Sequence, residues 1–435
     1  MCIREQLMNP NSQIFASPSR RPAGKNLPEL TKKTLTVLLT MTLASLLFVS
    51  LSLGAVTKSV NIRSSGTIGV SPPPYVEGAI SPLHVEGPLI KDSNGKTVVL
   101  RGVNKVQFAD DPDGSWMGDT FWKEANVVAE LDAMKGWGAN VIRCHQAIDN
   151  WKNNLDQPYS ALPHRTAIKE FLSLAAARGM YVVYDGFTVR NYYNGQTQDP
   201  LPYPPYQTST GASTVIASEE DFVDWWVSVA SELKGYNNVI FELWNEPYGD
   251  YSQTAKQSWF SVSQQCINAI RSTGATQLIV LQWNLGCAVN LNFPETPLES
   301  LYWINEANIN DPLGNIVYST HLYRDYGHIH YSTPTRYNVW ELNDIDRGLS
   351  SMGYYDMASK YPLFIGEFGA NVITTGTDLD HEYQFFDNAL TLLNQHGISY
   401  VGFWWRTFGT YAMLNDITSA NQAGEILKQH LLSPG

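Results

Sequence analysis

Short apolar runs alternate with amphipathic helical patterns from residue 83 to the end of the chain. Eight runs of six to eight residues are rich in β-branched and aromatic residues, which is typical of buried strands. Helical periodicity lies between them, for example at 121–138, 164–179, 221–236 and 381–397, and several of these segments end in glycine. We predict strands at 99–104, 140–146, 181–187, 239–245, 278–284, 316–323, 363–369 and 400–406.

Eight alternating strand–helix units predict an α/β protein, a (β/α)8 TIM barrel. A doubly wound open sheet is the alternative, but it gives no reason for eight units, and no GxGxxG motif follows the first strand. Before that strand, LHVEGPLIKDSNGKTVVLRG has two apolar runs around Asn94–Gly95, the pattern of a β-hairpin. We expect this N-terminal β-hairpin to cap the bottom of the barrel.

An uncharged apolar run at residues 35–56 precedes the predicted barrel. It follows Lys32 and Lys33, and its length and flanking charge fit either a signal peptide or a membrane anchor. Both alternatives predict export, to an extracellular location or to the outer face of the cell membrane as a tethered protein. We expect a disordered N-terminal region at 1–34, a linker at 57–80 and the barrel domain at 81–435.

The composition narrows the classes of partner. A formal net charge of −12 argues against nucleic acid and anionic membrane surfaces, because both require a basic surface. The membrane remains a predicted partner only through residues 35–56. The 13 Trp and 23 Tyr, many of them in Gly/Pro/Asn-rich stretches, favour a groove that stacks sugar rings, although aromatic residues covering loops would give the same pattern.

The cysteines and acidic clusters predict no metal centre. The four Cys form no CxxC pair, and only a Cys266–Cys287 disulfide stays open as an alternative. An acidic loop, DDPDGSWMGD at 110–119, could hold calcium, but its spacing is not that of an EF-hand and a solvated loop is favoured. There is no HExxH motif for zinc. We therefore expect neither a cofactor nor a metal.

Polar side chains recur at the carboxyl ends of the predicted strands, which is the end where barrel enzymes place their chemistry. Two of them are glutamates, and a pair of carboxyl groups suits cleavage of a glycosidic bond. One carboxyl must be protonated and the other ionised, so their surroundings must separate the two pKa values. The strand ends carry Asn104; Arg143, His145 and Gln146; Asp185; Asn245 and Glu246; Trp283 and Asn284; His321 and Tyr323; Glu367; and Trp404, Trp405 and Arg406.

These motifs, in this order, resemble glycoside hydrolase family 5, the clan-A family of retaining cellulases and mannanases. The similar segments are WNEP after the fourth strand, GEFG at the seventh, His-x-Tyr at the sixth, Arg after the second and Trp at the eighth. GPLIKDSNGKTVVLRGVN is also similar to the opening of that family. The resemblance covers the chain from about residue 83 to its end.

The resemblance implies roles for individual residues. Glu246 would be the acid/base and Glu367 the nucleophile. Asn245 would bind the sugar 2-hydroxyl, and Trp404 would form the floor of the −1 subsite, with Trp405 as the fallback. Three further side chains would support the carboxylates: Arg143 and Tyr323 would contact Glu367, and His321 would orient Glu246.

One departure from the family pattern lies at the third strand. Family members commonly have Asp-x-His there, and this chain has Asp185-Gly186-Phe187. Phe187 cannot donate a hydrogen bond, so the role of that histidine is either lost or supplied elsewhere, for example by His145. For Glu242, on the same strand face as Glu246, we predict an ion pair inside the barrel.

The resemblance implies an O-glycosyl hydrolase that cleaves a β-linked polysaccharide. An endo-β-1,4-glucanase is favoured, with a β-mannanase next and an exo-β-glucosidase behind. Long aromatic loops after several strands fit an extended cleft for a polymer but do not identify the sugar. A membrane-tethered carbohydrate-binding protein without hydrolysis is an alternative of another class, but both carboxylates stand at their strand ends. A cell-envelope adhesion protein would leave the paired glutamates unexplained.

Overall fold

The computed structural model describes seven segments of the chain: 80–108, 124–154, 163–188, 218–247, 253–283, 300–324 and 339–433. The predictions for residues 1–34, 35–56 and most of the linker lie outside these segments. Within them, no helix has both the length and the apolar character needed to cross a membrane. Export of the barrel therefore stays a prediction.

Eight parallel strands close into a barrel, which confirms the predicted (β/α)8 architecture. Each strand pairs with its neighbours in chain order, and the last closes the barrel against the first. The observed strands begin and end within about four residues of the predicted runs. They are β3 (Arg101–Phe108), β4 (Val141–Ala147), β5 (Tyr181–Thr188), β6 (Val239–Glu242), β7 (Ile279–Gln282), β8 (Ile316–Leu322), β9 (Leu363–Phe368) and β10 (Ser399–Gly402).

Helices connect the strands and bury their apolar faces against the barrel. Helix α4 (Glu219–Leu233) illustrates how the sequence forms such a helix. Ser218 caps its start by accepting a hydrogen bond from the Asp221 N–H, and Trp225, Trp226 and Val229 lie on its buried face. The helices are α1 (Glu124–Gly136), α2 (Ile148–Asn153), α3 (His164–Ala176), α4 (Glu219–Leu233), α5 (Gln253–Ser272), α6 (Ile304–Ala307), α7 (Leu342–Ser351), α8 (Tyr354–Ala358), α9 (Thr377–Gln395) and α10 (Gln422–Leu432).

The bottom of the barrel is capped by the N-terminal hairpin, as predicted. Strands β1 (Leu83–Glu86) and β2 (Leu89–Asp92) pair antiparallel, and Leu83 and Ile90 pack with inward residues of the barrel strands in one apolar cluster. The turn of this ladder is at residues 87–88. The predicted Asn94–Gly95 turn follows it and adds a single antiparallel bridge, Lys91 to Thr97, because that return segment leaves at once to enter β3.

Alternation along each strand explains how charged residues reach the interior. On β4, Val141 points into the apolar cluster at the bottom, while Ile142 and Cys144 pack outward against the helices. The next inward positions, Arg143 and His145, are therefore inside the barrel near its carboxyl end. Neighbouring strands repeat this change from apolar to polar. The barrel interior is therefore apolar at its bottom and charged near the carboxyl ends of the strands.

Candidate active site

Two glutamates and a histidine meet at the carboxyl end of the barrel. Glu246 follows β6, and Glu367 on β9 lies beside His321 on β8 in the strand register. His321 Nδ1 is 2.7 Å from Glu246 Oε1 and 3.6 Å from Glu367 Oε2. One ligand atom from each of the three residues lies within 4.8 Å of the others, and all three are buried. The structure thus brings together the two predicted carboxyl groups.

The backbone at Glu246 is held in an unusual conformation. Its φ of 51° lies in the left-handed region, which non-glycine residues rarely adopt. The Glu246 N–H donates to Gln282 Oε1 at 3.0 Å, and the preceding Asn245 N–H donates to the Gly186 carbonyl at 2.7 Å. These bonds offset the local strain and aim the carboxyl group at the barrel mouth. Gln282 is absent from the sequence-based candidates, since only its inward position at the end of β7 marks it.

The surroundings of Glu246 favour the protonated form of its carboxyl group. Burial, with a further contribution from the negative charge of Glu367, raises its pKa well above the usual value. Its partner His321 is neutral, because burial lowers the pKa of that imidazole to about 3. Glu246 thus holds a proton that it can donate, next to a neutral ring that fixes its orientation.

Glu367 has the opposite environment. Its carboxylate accepts from Arg143 Nη1 at 2.9 Å and from the Tyr323 hydroxyl at 2.9 Å, and His145 Nε2 lies 3.2 Å from Oε1. Burial by itself would raise its pKa, but His321, His145 and Arg143 together hold it well below the usual range. Because His321 is neutral near pH 7, we attribute the ionised state chiefly to Arg143 and the hydrogen bonds.

Arg143 is the centre of the charged interior. Its Nε and Nη2 donate to the two oxygens of Glu242 at 2.6 and 3.1 Å, which is the ion pair predicted for that residue. Nη2 also lies 2.9 Å from Asn245 Oδ1 and 3.0 Å from Asp185 Oδ2. Arg143 is fully buried, so this set of acceptors fixes the direction in which Nη1 meets Glu367.

Aromatic rings line the eighth strand end, but the two tryptophans have different positions. Trp405 packs against Trp137 at 4.5 Å between their ring centroids, in the layer between barrel and helices. Trp404 stacks on Phe403 at 4.5 Å and 11°. Phe403 is the ring that contacts His145 and Tyr323, at 6.3 and 6.4 Å. Trp405 is therefore poorly placed for the fallback role, and Phe403, which the sequence did not single out, lies near both His145 and Tyr323 beside Glu367.

The glycines beside Glu367 make room for the protein's own groups. A Cβ on Gly366 would lie 3.0 Å from Ser319 Oγ and 3.1 Å from His321 Nε2. A Cβ on Gly369 would lie 2.5 Å from the Phe403 carbonyl oxygen. In the structure the two glycines allow the eighth strand end and His321 to approach Glu367.

Several sequence-based candidates lie outside the described residues: the acidic loop at 110–119, Asn284 and Cys287. Cys144 and Cys266 are buried free thiols. Within the part of the chain that the structure describes, only Glu246, His321 and Glu367 gather closely enough to hold a metal ion. His321 Nδ1 already lies beside both carboxylates, and the neighbouring Arg143 guanidinium disfavours a further cation.

Comparison with known proteins identifies the family. The model for cellulase (glycosyl hydrolase family 5) matches residues 91–409, well over half of the chain. The chain belongs to glycoside hydrolase family 5. The resemblance drawn from WNEP and GEFG is thereby confirmed.

The curated relatives of this family 5 chain include enzymes with different names. A mannan endo-1,4-β-mannosidase from Cellvibrio japonicus is 22% identical over 79% of this chain and 63% of its own length. Endoglucanase 1 from Robillarda sp. is 26% identical over 46% of this chain and 48% of its own length. The chain thus spans less than two thirds of the length of these relatives.

Solved structures share the fold. A β-glucanase from Saccharophagus degradans, crystallised with cellotetraose, has a TM-score of 0.61 at 18% identity and covers 83% of this chain and 96% of its own. A hyperthermophilic endocellulase from Pyrococcus horikoshii also has a TM-score of 0.61, at 20% identity, over 81% of this chain and 98% of its own. At these identities the likeness establishes the fold alone.

The two glutamates predict a bell-shaped pH profile. Activity should fall at low pH as Glu367 takes up a proton, and at high pH as Glu246 loses the proton that burial retains. The profile of kcat/KM against pH measures both limbs, whose apparent pKa values belong to the coupled pair. On a dinitrophenyl β-cellobioside, whose leaving group needs no proton, Glu246→Gln should keep far more of the wild-type kcat/KM than it keeps on the polysaccharide. Equal losses on both substrates would reject Glu246 as the acid.

Proposed function

We propose that this family 5 chain is a retaining glycoside hydrolase that cleaves β-1,4-linked polysaccharide by double displacement. The observation that supports this most strongly is the close approach of the two carboxyl groups, with an oxygen of Glu246 within 4.8 Å of an oxygen of Glu367. Retaining glycosidases hold their carboxyl groups roughly 5–5.5 Å apart, whereas inverting enzymes need roughly 6.5–9.5 Å for a water molecule.

In the first step, a Glu367 oxygen attacks the anomeric carbon and forms an ester bond to it. The glycosidic C–O bond breaks, and the leaving oxygen takes the proton of Glu246. Glu367 starts ionised and Glu246 starts protonated, as their opposite environments require. His321 keeps Glu246 oriented through its 2.7 Å hydrogen bond.

In the second step, water attacks the same carbon and the ester bond to Glu367 breaks. Glu246, now ionised, takes a proton from this water and returns to its starting state. The released sugar keeps the β configuration, because two inversions occur at one carbon. Asn245, held by Arg143 at 2.9 Å, is the amide that we assign to the sugar 2-hydroxyl.

For the substrate we propose a β-1,4-glucan, cleaved internally. Support comes from the likeness to proteins named endoglucanase and to the β-glucanase crystallised with cellotetraose. β-Mannan is the second candidate, because a relative aligned over 79% of this chain is named a mannan endo-1,4-β-mannosidase. We propose that the barrel acts outside the cell, after export directed by residues 35–56.

A polysaccharide panel tests the proposal. The purified full chain is incubated with carboxymethylcellulose, mannan, xylan and laminarin, and reducing ends are measured against Glu246→Gln on the same substrates. We expect the highest rate on carboxymethylcellulose, with a rapid drop in viscosity that reports internal cleavage. Preference for mannan would replace the substrate assignment, and activity on none of the four polymers would contradict hydrolysis.

A further inference from the structure

His145 bridges two carboxylates inside the barrel. Its Nδ1 lies 2.5 Å from Asp185 Oδ2, and its Nε2 lies 3.2 Å from Glu367 Oε1. The strand register explains this, since His145 on β4 stands beside Asp185 on β5. Only about 1% of the histidine is exposed, so water does not replace either contact. The ring is held in place by Phe187, with ring centroids 4.3 Å apart.

The two contacts determine the protonation state of the ring. A carboxylate oxygen accepts and does not donate, so Nδ1 needs a proton to bind Asp185 and Nε2 needs one to bind Glu367. A neutral imidazole carries only one of these protons. The alternative is a neutral ring whose Nε2 accepts from Arg143 Nη1 at 3.4 Å; the shorter 3.2 Å approach to Glu367 favours the imidazolium. The direction of its pKa agrees, since the two carboxylates raise it although burial and Arg143 lower it.

Charged groups face His145 from several strands, and their balance favours a cation at this place. Arg143 is the nearby positive charge, with Nη1 3.4 Å from Nε2. Negative charge is supplied by Asp185 and Glu367, with a part from Glu242, whose pKa burial raises to about 7. The titratable and charged groups around His145 are Arg143 on β4, Asp185 on β5, Glu242 on β6, Glu246 after β6, His321 on β8, and Tyr323 and Glu367 at β8 and β9.

We propose that Asp185 and His145 act as a positioning pair that delivers a cationic N–H to Glu367 and keeps this nucleophile ionised. The inference rests on the proposed glycosidase function, and it names a further pair of residues for that site. Phe187 stands on the third barrel strand, where its ring cannot donate a hydrogen bond. His145 on the second barrel strand supplies the donor instead. The pair sets the low-pH limit at which the enzyme works.

The pH profile of a His145→Phe variant is the first test. Phenylalanine keeps the ring volume beside Phe187 but removes both donors and the charge. The acid limb of kcat/KM should then move up by at least about one pH unit, since a charge this close shifts a carboxyl pKa by about 1–3. At pH values below the acid limb, kcat/KM then falls tenfold for each pH unit by which the limb has moved. His164→Phe is the matched control, a fully buried histidine of α3, and its acid limb should not move.

A profile of unchanged shape in His145→Phe, with or without a uniform loss of activity, would overturn the proposal and leave a packing role. It would leave the proposed hydrolysis intact. Failure of the wild type on every polymer is a different result, because it would contradict the function and not the ion pair.

A second measurement tests the pair without relying on activity. In ¹⁵N-histidine NMR spectra of the full chain, both ring nitrogens of His145 should be protonated at pH 7. In Glu367→Gln, His145 should lose its proton at a pH about one unit lower or more, because the two groups stabilise each other's charge. Spectra that show a neutral His145 at pH 7, or an identical titration in Glu367→Gln, would overturn the proposal even if His145→Phe fails to fold.

Discussion

Replacing Glu367 by alanine is expected to lower kcat on the best polymer by at least about 10⁴-fold, the scale on which loss of a nucleophile acts. The methyl group of alanine cannot form the ester bond to the anomeric carbon. Among the residues that the structure describes, no other nucleophile takes the place of the missing carboxylate. Binding should persist, because the aromatic rings at the eighth strand end are untouched. Reducing-end release and calorimetric binding of cello-oligosaccharides to the same variant measure these two effects separately.

Glu130→Gln is the matched control for Glu367→Ala. Glu130 is also a buried glutamate in an ion pair, with Lys105, but it lies between β3 and α1 outside the barrel. The Glu130→Gln variant should lose stability and keep its kcat within about threefold of the wild-type value. A 2-fluoro glycoside should label wild-type Glu367 covalently, as peptide mass spectrometry detects. Activity of Glu367→Ala near the wild-type level would remove the residue from the mechanism.

Replacing Arg143 by methionine is expected to destabilise the fold by about 3–5 kcal/mol, the cost of leaving buried charges unpaired. Asp185, Glu242 and Glu367 would then share the interior without their common partner. The folded-state pKa values of Glu242 and Glu367 would then lie above the unfolded values, so the variant should lose stability as pH rises. Thermal unfolding at pH 5 and pH 8 measures this, and the deficit should be larger at pH 8.

The double variant Arg143→Met/Glu242→Leu separates charge from packing. Burial already raises the pKa of Glu242 to about 7, although Arg143 lowers it, so this carboxylate depends most directly on its partner. Removing both groups should restore part of the lost stability. A double variant as unstable as the sum of its single variants would show that Arg143 and Glu242 do not stabilise each other.

The sequence alone was sufficient to predict the barrel and the proximity of the two carboxyl groups. Strand periodicity locates each strand, and polar residues at strand ends can only meet at one rim of a parallel barrel. Glu246 and Glu367 were therefore predictable as neighbours although they are far apart in sequence.

The remaining features depend on local geometry that periodicity does not specify. The double tryptophan shows this: alternation could not tell which ring faces the barrel mouth, and the structure places Trp405 against Trp137 and brings Phe403 close to His145. The sequence does not reveal the role of Gln282, because this side chain accepts a hydrogen bond from the backbone N–H of Glu246. The Asp185–His145 contact depends on the register between β4 and β5, which only the fold determines.

The most direct test of the central claim is the stereochemistry of the product. Proton NMR spectra recorded during the first minutes of hydrolysis of a soluble β-1,4-oligosaccharide show the new anomer before mutarotation equilibrates it. Two displacements, by Glu367 and then by water, predict that the β anomer appears first. Initial release of the α anomer would contradict the double displacement and the assignment of Glu367 as nucleophile.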